Sequence, residues 1–137
     1  MRMKKLVLDA VIKNIDQVTE LVNQQLEEMD CPLKAQLQVD VAVDEMFTNI
    51  ASYAYPDGVG QASVQVEPNV NPHGVRITFT DRGIPYNPLL KEDPDVTLSA
   101  AERKIGGLGI FLVKKTMDEM LYDYRDGCNV LTIVKYF

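Results

Sequence analysis

Three groups of residues in this 137-residue chain have types and spacings that could do chemistry. The segment after Pro32 reads as a helix, and at about 100° per residue Gln38, Glu45, Asn49 and Ser52 fall within an arc of roughly 60°. Val39, Val43, Met46, Phe47 and Ile50 fill the opposite side. Glu45 and Asn49 are therefore polar neighbours one turn apart, although on spacing alone such an arc is also the solvated face of an amphipathic helix. The second group is Asp81-Arg-Gly-Ile-Pro85, directly after a strand that ends Phe79-Thr80. It makes a tight turn, and a carboxylate held there could accept hydrogen bonds from an exocyclic amine in a pocket beyond the sheet. The third is Gly106-Gly107-Leu108-Gly109, opening an apolar segment. Glycines let a backbone approach phosphate oxygens, and the free N–H groups of a helix N-terminus favour an anion; the same run is also an ordinary turn into a helix. Its spacing is neither a Walker A loop nor a Rossmann turn. Lys91, Arg103, Lys104, Lys114 and Lys115 collect around it, a local excess that suits a nucleoside triphosphate better than a nucleic acid.

These groups must be positioned by a small set of elements. Residues 4–9 read as a strand, and Asn14 or Asp16 can cap a helix that carries Ile15, Val18, Leu21, Val22, Leu26 and Met29 at helical spacing. Cys31-Pro32 breaks it, and Pro32 suits the start of the second helix, expected to run to about Tyr53. Tyr55-Pro-Asp-Gly-Val-Gly60 ends that helix. Residues 62–67 and 75–80 alternate as a hairpin around Asn71-Pro72-His73-Gly74. From Pro85 to Ile105 periodicity gives way to prolines and charges, as in a long functional loop, with Ser99-Ala-Ala-Glu102 as a possible capping box. A helix from the glycine run and strands around 120–124 and 130–136, joined at Asp126-Gly127, complete the order β-α-α-β-β-loop-α-β-β. The expected fold class is an α/β (α+β) two-layer sandwich, a mixed, largely antiparallel sheet with the helices on one face, as one domain over 1–137.

Composition excludes several functions. The chain is 46% hydrophobic and 25% charged, an ordinary globular balance. Its net charge of −6 lacks the basic footprint that phosphate-backbone binding needs. Cys31 and Cys128 suggest neither a disulfide framework nor a zinc site, and reduced thiols in the cytoplasm are expected. No apolar run is long enough to span a membrane. The opening Met1-Arg-Met-Lys-Lys meets Asp9 after only three apolar residues, so no signal peptide is expected. The one histidine, His73, sits in a turn, which leaves a histidine phosphate carrier, metal cluster or catalytic triad little to work with.

Taken in order, Glu-x-x-x-Asn on a helix, Asp-x-Gly-x-Pro after a strand, a variable loop and Gly-Gly-Leu-Gly-Ile-Phe-Leu-Val opening a helix closely resemble the GHKL (Bergerat-fold) ATPase pattern. Within that superfamily the chain resembles the small anti-sigma regulatory factor serine/threonine kinases, over nearly its whole length. The resemblance implies that Glu45 is the general base and that Asn49 coordinates Mg²⁺ bridging the ATP phosphates. It further implies that Asp81 accepts from the adenine amino group with Gly83 giving room for the ring, that Gly107 and Gly109 form the phosphate-facing turn, and that about 87–105 is the ATP lid. Thr132 matches a position linked to adenine through water, and Arg103 and Lys104 are positional candidates for the γ-phosphate. Tyr53 stands where some relatives carry His, and the lid lacks a run of glycines. The implied function is an ATP-dependent kinase that phosphorylates an anti-sigma-factor antagonist and binds a sigma factor. The alternatives are an ATP-binding partner-switching module without productive transfer and an ATP-hydrolysing subunit of another assembly. The resemblance also implies a homodimer, for which the strand and helix over 4–29 offer an edge and an apolar stripe, unless that stripe packs only on its own sheet.

Overall fold

The structure, a computed structural model, describes residues 3–90 and 107–137. Strand β1 (Lys4–Asp9) leads through a 3₁₀ turn (Ile12–Asn14) into helix α1 (Ile15–Glu28). Asn14 does not cap it as expected: its backbone is already helical (φ −92°, ψ 0°), and its amide turns back to Asp9 O at 2.9 Å. Asp30, in the left-handed region at φ 54°, stops the helix, and Cys31 N closes on Leu26 O at 3.0 Å. Pro32 then occupies the N-cap of α2 (Leu33–Asn49), which passes into a π turn over Ile50–Ala54. Strands β2 (Gln61–Asn69) and β3 (Gly74–Asp81) form the hairpin, each longer than its alternating apolar residues suggest because ladder bonds continue past the last of them. A 3₁₀ turn (Pro88–Leu90) precedes the segment 91–106, so most of the expected lid, the capping box at 99–102, Arg103 and Lys104 lie outside the described residues. Helix α3 (Gly107–Thr116) and strands β4 (Glu119–Arg125) and β5 (Cys128–Tyr136) follow.

The five strands lie in the order β1-β2-β3-β5-β4, and every pairing is antiparallel, so the sheet carries none of the parallel pairing that a mixed sheet would have. One face, with Leu8, Val64, Val66, Ile77, Phe79, Leu131 and Ile133, is buried beneath Val18, Val22 and Leu26 of α1, Val39, Val43, Met46 and Phe47 of α2, and Ile110 and Val113 of α3. α2 is the middle helix, in contact with both α1 and α3. Full burial of Phe47 and Phe79 contributes about 1.5–3 kcal/mol each, enough to fix α2 over the central strands. The opposite face is polar, with Thr78, Thr80 and Thr132 along one groove. The α1 stripe is spent within the chain, since Val18, Val22 and Leu26 are fully buried in this single copy. Lys135 reaches from β5 to Thr116 O at 2.7 Å, where a cation suits the carbonyl end of α3.

Candidate functional site

The hydrophobic spacing of α2 turns Val39, Val43 and Met46 into the core, which leaves Glu45 and Asn49 half-buried beside α3. Asn49 Nδ2 lies 3.4 Å from Glu45 Oε1. The Glu45 carboxylate packs directly on Gly109: a Cβ at that position would sit inside contact distance of both carboxylate oxygens. Gly109 therefore admits a carboxylate to the first turn of α3. Ser52 falls in the π turn, which rotates less per residue than an α-helix, and is exposed where Glu45 and Asn49 are half-buried.

That π turn also shapes the neighbouring loop. The freed carbonyl of Ala54 accepts from Ile84 N at 2.9 Å, and a Cβ on Gly83 would collide with that carbonyl. Gly83 is thus required by the close approach of the Ala54 backbone, and its own N–H meets Asp81 Oδ1. Tyr55 braces the same corner by donating to Gln61 O and accepting from Arg82 N at 2.8 Å.

The cleft lies between α2, the π turn and the ends of β3 and β5, with a cavity volume of about 30 Å³. Met46, Ile50, Phe79 and Leu131 give it apolar walls, and Asn49 lies on its lining. Asp81, 6% exposed, is its buried charge. Its Oδ1 accepts from Gly83 N and from Asn129 Nδ2, both at 2.9 Å; among the described residues no donor meets Oδ2. An apolar slot ended by one open carboxylate oxygen suits a flat heteroaromatic ring that carries an amine. Tyr53 and Tyr86 face each other at the rim with ring centroids 6.2 Å apart, and burial, then the charges of Tyr53 and Glu45, push the Tyr86 hydroxyl above its ordinary range.

Thr132 is not in this site. It lies three residues after Asn129, and because side chains alternate along a strand an odd step puts it on the other face, 3.4 Å from Thr78. The residue beside Asp81 is Asn129, which sequence reasoning missed; the available signal was the register of the last strand, which pairs Asp81 with Asn129. Lys114 and Lys115 are also misplaced by proximity in sequence. They fall in the last turn of α3, where cations suit the helix carbonyl end, with Lys115 5.4 Å from the centre of the Phe111 ring. Gly107 begins α3 as expected. Among the described residues no three His, Cys, Asp or Glu side chains gather to hold a metal, and no helix is long and apolar enough to cross a membrane.

Residues 8–135 match the histidine kinase-like ATPase domain family. The chain is similar to the serine/threonine-protein kinase BtrW of Bordetella bronchiseptica, at 28% identity over 96 residues that cover 70% of this chain and 67% of that protein. It is similar to the serine-protein kinase RsbW of Listeria monocytogenes, at 28% identity over 100 residues, 70% of this chain and 62% of that protein. In three dimensions it matches a crystal structure of the RsbU and RsbW domains of a Mycobacterium tuberculosis protein with a TM-score of 0.71 and 17% identity, over 99% of this chain and 32% of that one. The chain thus spans less than two thirds of the Listeria kinase and about a third of the mycobacterial chain.

Proposed function

Because the chain belongs to the histidine kinase-like ATPase domain family, we propose that it is an ATP-dependent serine/threonine protein kinase that phosphorylates a small anti-sigma-factor antagonist and binds a sigma factor in the cytoplasm. The observation that carries this reading is the pairing of Glu45 with Asn49 beside the N-terminal turn of α3, one helical turn from a cleft that ends at Asp81. In this reading adenine lies between the apolar walls and donates its amino proton to Asp81 Oδ2. The triphosphate then runs past Asn49 toward Gly107 and Gly109, with Arg103 or Lys104 as the cationic contact at the γ-phosphate.

The residues fit a divalent cation of the kind that nucleotides carry. Asn49 uses its Nδ2 toward Glu45, which leaves its amide oxygen as a hard donor, and Mg²⁺ characteristically takes one or two protein oxygens and completes its shell with phosphates and water. Bound there, Mg²⁺ would neutralise charge on the transferring phosphoryl group. Glu45 would hold the proton of the incoming hydroxyl while that oxygen bonds to the γ-phosphorus and the bond from phosphorus to the β–γ bridging oxygen breaks. The open N–H groups of α3 would stabilise the charge that develops. Support for a protein hydroxyl as acceptor comes from the relatives named as serine-protein kinases.

Transfer from γ-labelled ATP to an antagonist protein tests this. Glu45→Ala is expected to keep ATP affinity within a few fold while transfer falls by about 10²–10⁴. Parent-like labelling by the variant would remove Glu45 from the chemistry, and ATP binding without any labelling by the parent would leave a partner-switching module.

A further inference from the structure

Resting on the nucleotide reading of Asp81, we propose that Asn129 is the positioning residue that sets base selectivity, by holding Asp81 so that one oxygen alone is offered to the base. The two residues pair directly across β3 and β5, and each is only 6% exposed. Asn129 Nδ2 donates to Asp81 Oδ1 and to Ile84 O, both at 2.9 Å. Its Oδ1 accepts from Tyr86 N at 3.0 Å and from the Tyr122 hydroxyl. Both amide protons and both oxygen lone pairs are engaged, so the carboxamide cannot turn over without bringing donor against donor and its own oxygen against Asp81.

This has a chemical consequence at Asp81. Gly83 N and Asn129 Nδ2 both close Oδ1, and Oδ2 is left as the acceptor that no donor among the described residues meets. A base with a 6-amino group can donate to it, whereas a 6-oxo base brings acceptor against acceptor. The same carboxamide grips Ile84 and Tyr86, so the chain leaving β3 is fastened to the base acceptor by one side chain. With Asn129 truncated, Gly83 alone would hold Oδ1, the carboxylate would rotate, and the angle on which selectivity depends would be lost. A role limited to filling the end of the cleft predicts a different result, an equal loss for every nucleotide.

The experiment is isothermal titration of the full chain with ATP, GTP and purine riboside triphosphate, which is ATP without its 6-amino group. The parent is expected to prefer ATP over the deaminated analogue by about 10–100-fold, the range of a hydrogen bond to a charged group. Asn129→Ala is expected to bring that ratio to within about threefold of unity. Asn129→Asp keeps the shape and serves if the alanine variant does not fold. When protonated it donates to Asp81 Oδ1 as the amide does, and when ionised it repels it. Among the described residues, the titratable groups around this pair include Tyr122 on β4, with Asp123 and Tyr124 near it, and Tyr86 and Tyr55 in the adjoining loops, with Arg82 and Cys128 near Tyr55; burial holds the Tyr122, Tyr86 and Tyr55 hydroxyls above their ordinary range, so they stay neutral through the experiment. The Asn129→Asp ratio should therefore match the parent near pH 5.5 and fall toward the alanine value near pH 8. A preserved ratio in Asn129→Ala, or a ratio in Asn129→Asp that does not move with pH, overturns the proposal and leaves the nucleotide reading standing. A parent that binds ATP and the analogue equally removes the reading of Asp81 itself, and this proposal with it.

Discussion

Asp40, on α2, has one carboxylate oxygen that is buried and has no hydrogen-bond partner among the described residues, and burial raises its pKa above the ordinary carboxylate range. A folded-state pKa above the unfolded value of about 3.9 means that the native state holds the proton more tightly. The stability linked to that proton is fully present below the unfolded pKa and is lost as pH rises through the folded one, so the cost of Asp40 grows as the pH is raised. Asp40→Asn should melt at a higher temperature than the parent at pH 7–8, and the difference should close as the pH is lowered toward 4. A difference independent of pH in melts followed by circular dichroism would show that ionisation is not the cause. The same neighbourhood explains an inert thiol. Burial, then the negative charge of Asp40, push the Cys31 thiol up against an opposing pull from Lys135, which keeps it protonated near neutral pH.

At the scale of elements, the site is made where helix ends meet strand ends, and two glycines separate shape from chemistry. A Cβ on Gly83 would meet the Ala54 backbone carbonyl, which cannot yield without losing the bond from Ile84 N. The nearest atoms to a Cβ on Gly109 would be those at the tip of the flexible Glu45 side chain. Gly83→Ala should therefore destabilise the fold by about 1–3 kcal/mol, the usual cost of forced overpacking. Gly109→Ala should melt close to the parent yet lose transfer, because Glu45 is displaced. Paired thermal melts and labelling assays read the contrast, and equal melting temperatures for the two variants would overturn it. The pattern of α2 marks which side faces the core, but the π turn that re-aims its last residues leaves no periodic signature: Ile50–Ala54 contains nothing that a continuing helix would refuse.

For the molecule as a whole, the expected homodimer loses one of its two supports. The apolar stripe of α1 is consumed by the chain's own core, whereas β1 lies at the edge of the sheet with one side of its ladder unpaired among the described residues. A dimer built on that edge should run at twice the 15.4 kDa chain mass in light scattering. Val7→Pro should return it to monomer, since Val7 is 56% exposed and a proline in an edge strand removes a donor and bends the ladder. A parent that is monomeric at micromolar concentration with and without ATP would end the dimer reading.

Strand and helix order and the buried face of each helix were legible in the sequence, because periodicity and turn chemistry are local and burial follows from them, whereas the expectation that Glu45, Asn49 and Asp81 serve one site came from the resemblance alone. Only the tertiary structure decided which side chain stands beside Asp81. That depends on the register between β3 and β5, strands separated by a long loop, a helix and another strand, and a shift of one residue would exchange Asn129 for a neighbour on the other face. It also decided that Gly83 serves the Ala54 carbonyl, that Gly109 admits a carboxylate and that Thr132 faces away from the cleft. Each of these is a contact between atoms distant in the chain, and a sequence records the residue types that permit such contacts without recording which of them meet.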